Sequence, residues 1–121
     1  MKTRHFEIVI PLAELKVDIE SVFTKYKAIE KFAFIVHDKD GLSSHLHIYL
    51  RLIPSMQDIR ILSKWFSVPQ KNIVVLNGLV GRLMNYWLYA SNPFSARPLY
   101  QLSDITANFN VQKEIERAEG F

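Results

Sequence analysis

Hydrophobic positions along this chain recur with two different periods, and the switches between them mark the elements. In His5-Phe6-Glu7-Ile8-Val9-Ile10, Phe6, Ile8 and Ile10 fall on one side and Glu7 on the other, the alternation of a half-buried strand. Pro11 closes it, because proline has no N–H to give to a ladder. From Leu12 the apolar residues Leu12, Leu15, Ile19, Val22, Phe23 and Tyr26 follow helical spacing and predict an amphipathic helix to about Lys27. Phe32 to His37 is a short apolar run rich in aromatic and β-branched residues, a second strand that ends on His37. His45 to Ile53 alternates again. Leu46, Ile48, Leu50 and Leu52 read as its core face, and His45, His47, Tyr49 and Arg51 stand opposite.

Asp40-Gly41 opens so short a link between these two strands that they should form an antiparallel hairpin, with the glycine free to adopt positive φ. Beyond Pro54, Ser55 with Asp58 three residues later resembles a capping box, and Ile59, Leu62 and Phe66 line the inner face of a second helix. Pro69 breaks it. Lys71 to Leu76 is a fourth strand, and Asn77-Gly78 turns the chain. A third helix is expected from about Leu79 to Ala90, with Leu79, Leu83 and Trp87 as its apolar stripe. Arg82, Asn85, Tyr86 and Tyr89 share the other side. Asn92-Pro93 stops it. A fifth strand is expected near Gln101–Ser103, then a polar helix from Val111 to Glu119 without a strong apolar stripe. The order β-α-β-β-α-β predicts an α+β fold, the ferredoxin-like or RRM-like split βαβ. It has an antiparallel sheet of about five strands, helices on one face, and the histidine row on the other with the third helix near it.

Composition narrows the picture only a little. With 121 residues, 49% of them hydrophobic and 22% charged, residues 1–121 make a single globular domain, to which a C-terminal domain can be appended. There are no cysteines, which excludes disulfides and thiolate zinc sites and fits a reducing compartment. The first residues are polar, no signal-like apolar region follows, and no apolar run reaches membrane-span length; a cytoplasmic protein is expected. A net charge of +3 is compatible with nucleic acid without pointing to it.

Candidate chemistry concentrates in one place. Three of the four histidines, His37, His45 and His47, lie here with Asp40, and the hairpin brings all four side chains together. Alone, a histidine pair on a strand is equally a solvated polar face, and His37-Asp38-Lys39-Asp40 an ordinary charged turn. Together they suit an ion of the Mn, Mg or Zn class.

Three motifs in this order carry a resemblance: His37-Asp38-Lys39-Asp40, the His45-Leu46-His47 strand, and a helix bearing a tyrosine ahead of Asn92-Pro93. They resemble the HUH endonuclease domains of rolling-circle replication initiators, in particular the Rep proteins of small Gram-positive plasmids. The helix motif of those proteins runs much like Y-L-T-H-x-x-N-P, and here it reads Tyr86-Trp87-Leu88-Tyr89-Ala90-Ser91-Asn92-Pro93. Tyr100 to Ile105 and Asn108-Phe109 are also similar to the segment that follows, so the likeness runs from the first strand to about Phe109.

The resemblance implies a divalent metal, Mn²⁺ or Mg²⁺, on His37, Asp40, His45 and His47. It implies a Tyr86 nucleophile that nicks and rejoins single-stranded origin DNA through a 5′-phosphotyrosine. Duplex origin DNA and a helicase, from the host or in cis, are the further partners, and no membrane is involved. Two departures stand out. The link from Asp40 to His45 is shorter than in many plasmid Reps, and Tyr89 replaces the His of that family or the Lys of circular single-stranded DNA viruses. Tyr89 is thus read as a supporting group or second nucleophile. Arg82 and Lys39 are read as DNA-phosphate contacts or as solvated charges, and Lys64, Lys71 and Arg97 as candidate duplex contacts. Glu7 reads as a surface strand residue in preference to a neighbour of the metal, and His5 as incidental. The rivals are a non-catalytic ferredoxin-like module stacking bases on exposed aromatics, for which Tyr49 alone on that strand face qualifies; another HUH enzyme, a relaxase or single-strand transposase; and a zinc hydrolase using water.

Overall fold

Five strands form one antiparallel sheet in the computed structural model, which describes residues 5–39, 43–53, 58–89 and 98–120. They are β1 (His5–Pro11), β2 (Ile29–His37), β3 (His45–Leu52), β4 (Ile73–Leu76) and β5 (Thr106–Ala107), in the order β4-β1-β3-β2-β5. The helices are α1 (Ile19–Lys25), α2 (Ile59–Phe66), α3 (Val80–Leu88) and α4 (Val111–Ala118). This is the α+β, ferredoxin-like arrangement that the alternation predicts.

The register explains why the leucine row and the histidine row part company. Phe6 pairs with Leu50, Ile8 with Ile48 and Ile10 with Leu46, so the apolar positions of β1 and β3 share one face. That face is fully buried: Phe6, Ile8, Ile48 and Leu50 are 0% exposed and pack under Val22 and Phe23 of α1 and Leu62 and Phe66 of α2. Full burial of each such side chain contributes about 1.5–3 kcal/mol.

The opposite face is half core and half site. Ala33, Ile35 and Tyr49 pack with Met84, Trp87 and Leu88 of α3, Ile115 of α4, and Tyr100. Tyr49, expected as an exposed strand aromatic, is 0% exposed. The stripe of α3 is Gly81, Met84, Trp87 and Leu88; Leu79, expected to be buried, precedes the helix and is 48% exposed.

Three further elements differ from the pattern reading. The first helix is interrupted, with a 3-10 turn at Leu12–Glu14, extended backbone at Leu15, and α1 starting only after Asp18. The Asp18 carboxylate accepts the Glu20 N–H, a cap that competes with a helix running through it. Leu15 and Val17 still reach the core from extended chain. The cap of α2 is Asp58, which accepts the Arg60 N–H at 2.9 Å, while Ser55 lies outside the described residues. The expected strand near Gln101–Ser103 is a 3-10 turn, held by the Gln101 N–H on the Asp104 carboxylate; the strand comes later, as β5.

Asn108 follows β5 and finishes the sheet edge. Its backbone N–H donates to the Phe32 carbonyl, its side-chain oxygen accepts the Phe32 N–H, and its side-chain amide donates to the Glu30 carbonyl. Helix α4 packs on α3, contrary to its polar reading. Ile115 is buried and Val111 partly so, and Gly81 lets the two backbones meet: a Cβ there would lie 2.0 Å from the Glu114 carbonyl oxygen.

Candidate metal centre and tyrosine helix

The hairpin register places His37 directly opposite His45, and His47 one full strand period further along. All three side chains therefore emerge on the same face. One ring nitrogen from each lies within 4.8 Å of the others, the compactness a metal ion requires. The ring centroids of His37 and His47 are 4.2 Å apart and those of His45 and His47 4.8 Å.

Each ring also places one nitrogen against an acceptor. Nε2–H of His37 donates to the Trp87 carbonyl at 3.0 Å, and Nδ1–H of His45 to the Ser43 carbonyl at 3.0 Å. Nδ1–H of His47 donates to Oε2 of Glu7 at 3.0 Å. These bonds select the tautomers, and in a neutral imidazole the second nitrogen then carries the lone pair. For His47 that second nitrogen is buried and has no hydrogen-bond partner among the described residues. A buried acceptor left unmatched costs about 1–3 kcal/mol. A cation bound among the three rings would satisfy it, so the donor set fits a metal.

The surroundings hold these rings in place. His37 is 1% exposed and stacks on Tyr100, with centroids 4.6 Å apart and planes 10° from parallel. The Lys39 backbone N–H donates to the Tyr100 hydroxyl at 2.8 Å, and the Lys39 ammonium lies 5.6 Å from that ring. Oε2 of Glu7 also accepts the indole N–H of Trp87 at 2.8 Å, and the Glu7 side chain is only 17% exposed. Glu7 is therefore no surface strand residue; it joins β1, β3 and α3. The signal was present in the sequence: a lone acid between apolar residues of a strand which the fold pairs with the histidine strand. Asp40, the fourth expected ligand, lies outside the described residues.

Tyr86 stands on the exposed side of α3, with 44% of its surface accessible. It lines a cavity of about 280 Å³ with Arg82, Glu7, His5 and Tyr49, so the tyrosine and the carboxylate behind His47 border the same cavity. Tyr89 instead packs, partly buried, against the core cluster beneath α3. His5 is not incidental either. It is hydrogen-bonded to the Tyr49 hydroxyl. Burial, then the Arg51 and Lys31 cations, hold His5 below its ordinary value, while burial pushes the Tyr49 phenol well up. The pair is thus a phenol O–H donating to a neutral imidazole.

Fold and site together define a ferredoxin-like domain with a three-histidine cluster under a tyrosine-bearing helix. No protein-family model matches the chain. It is similar to a replication protein from Onion yellows phytoplasma (strain OY-M), 29% identical over 136 aligned positions covering 97% of this chain. The chain spans 35% of that relative's length. Among the described residues no helix is long and apolar enough to cross a membrane.

Proposed function

We propose that this chain is the metal-dependent DNA-nicking and joining domain of a replication initiator. The observation that carries the reading is the histidine cluster, with its orphaned His47 nitrogen, under a helix that exposes Tyr86. The likeness to a replication protein supports the biological setting. His37, His45 and His47, with Asp40 as the added carboxylate, would hold a divalent cation. Three imidazoles favour a transition ion such as Mn²⁺ over Mg²⁺. A cation held by these residues would supply Lewis-acid polarisation of the scissile phosphate.

Tyr86 supplies the nucleophile. Its phenol loses a proton to solvent, the phenolate oxygen bonds to phosphorus, and the P–O3′ bond breaks. The departing oxygen takes up a proton as a free 3′-OH, and the downstream DNA stays on the protein as a 5′-phosphotyrosine. Attack by a 3′-OH reverses the step and joins strands without a nucleotide cofactor. Arg82, which lines the same cavity, and Lys39, exposed just beyond β2, offer charge to DNA phosphates. The packed ring of Tyr89 suits support of the helix more than a second attack. Single-stranded origin DNA is the substrate, with duplex origin DNA and a helicase as further partners in the cytoplasm. A non-catalytic base-stacking module is disfavoured because Tyr49, the aromatic it would use, is fully buried.

The test uses 3′-labelled single-stranded DNA of random sequence with Mn²⁺. Label should migrate with the protein on a denaturing gel, and Tyr86→Phe should lose the adduct while still binding DNA. An adduct surviving in Tyr86→Phe but lost in Tyr89→Phe would move the nucleophile to Tyr89. Absence of any adduct in a Mn²⁺-loaded protein that binds a single strand carrying its own replication origin would refute nicking.

A further inference from the structure

Tyr86 is followed on its helix by Trp87, whose carbonyl meets the histidine cluster directly and whose indole N–H meets it through Glu7. Its carbonyl accepts Nε2–H of His37, and its indole N–H donates to Oε2 of Glu7, which in turn accepts Nδ1–H of His47. We infer that Glu7 and Trp87 are positioning residues that lock α3, and with it Tyr86, in register with the cation, so that cation occupancy and helix order reinforce each other. The inference rests on the metal-and-tyrosine reading above and names the device that links its two halves.

Three features distinguish this from ordinary packing. First, one carboxylate oxygen takes both N–H groups, so His47 and Trp87 are held against the same atom of β1. Second, holding the proton on Nδ1 leaves Nε2 of His47 as the lone-pair nitrogen, and that is the buried atom without a partner. Loss of the acceptor would free the ring to carry its proton on Nε2, where it blocks a ligand bond. Third, Trp87 is 0% exposed, so the indole has no water to turn to. Glu7 lies on β1, His47 on β3 and Trp87 on α3, and two of the three candidate ligands therefore reach the nucleophile helix through one residue. Carboxylates that orient a metal-bound imidazole are typically worth about 10–100-fold in metal affinity.

The test separates metal binding from chemistry. Mn²⁺ is titrated calorimetrically into wild type, Glu7→Gln and Trp87→Phe, with thermal melts of the metal-free proteins to confirm folding. Amide exchange across α3 is then followed with and without Mn²⁺. Glu7→Gln keeps the volume but loses the charge and one acceptor oxygen, and it should bind Mn²⁺ about 10–100-fold more weakly. Trp87→Phe should bind Mn²⁺ nearly as wild type does, yet fail to gain the exchange protection that Mn²⁺ confers on wild-type α3. Its single-turnover adduct formation should slow at saturating Mn²⁺. Wild-type affinity in Glu7→Gln, or equal α3 protection in all three proteins, overturns the inference. If wild type binds no Mn²⁺, the metal reading fails and this falls with it. If wild type binds Mn²⁺ and forms the adduct but the variants match it, only the positioning role falls.

Discussion

His37 and His45 face each other across the β2–β3 hairpin but have different structural duties. His37 is buried, stacked on Tyr100 and bonded to the Trp87 carbonyl, whereas the hydrogen bond of His45 lies at the exposed rim. Replacing His37 by Ala should thus cost about 2–3 kcal/mol in urea unfolding, through a lost stack on Tyr100, a lost buried hydrogen bond and the cavity left by the ring. His45→Ala should cost less than about 1 kcal/mol, and both should lose Mn²⁺ binding. Equal stability losses would show that His45 is a core residue. His5 sets a pH dependence of its own. Its folded-state value lies below the ordinary 6.5, so between the two the unfolded chain holds the proton and the folded one resists it. The stability gained from a neutral His5 is present above pH 6.5 and lost as pH falls through the folded value. His5→Gln should flatten that part of the stability profile; an unchanged slope would remove His5 as its source. Both the histidine pair and its face were legible from alternation, because the leucines between them needed a core. The role of His5 was not, since its partner Tyr49 is 44 residues away in sequence and is brought close only by β1–β3 pairing, and the lone acid Glu7 marked a position without naming its partners His47 and Trp87, 40 and 80 residues away.

At the scale of elements, the contact between α3 and α4 is controlled by a missing side chain. Alanine at position 81 would gain about 1 kcal/mol of helix propensity, and a surface helix would be stabilised by it. Here the new Cβ would meet the Glu114 carbonyl at 2.0 Å, and a backbone atom cannot yield as a flexible side chain would. The clash should win, with a net loss of about 2 kcal/mol and faster amide exchange in α4. A stabilised Gly81→Ala would mean the helices do not meet this way. The same contact explains why the last helix misleads a reader of periodicity. Val111 and Ile115 make a stripe only two residues long, enough when the facing helix has a glycine to admit it. The broken first helix misleads for the opposite reason: its apolar spacing is helical throughout, but Asp18 caps the chain in the middle of the pattern.

For the molecule as a whole, topology was the most legible feature. Two alternating strands, a short hairpin link and the β-α-β-β-α-β order leave little choice of sheet. What alternation did not reveal is that the second face is also largely core, because α3 and α4 lend it their own apolar residues and turn an open histidine row into a walled recess. The sheet's outer edge has a further consequence, for solubility. Beyond β5, Asn108 occupies the Phe32 N–H and C=O and the Glu30 carbonyl, so one asparagine imitates the next strand and withholds those groups from any neighbouring molecule. Asn108→Ala would expose a template for edge-to-edge growth, and light scattering should then rise with concentration while the wild-type signal stays flat. In this protein, resistance to aggregation along β2 depends on an amide side chain acting as a false strand.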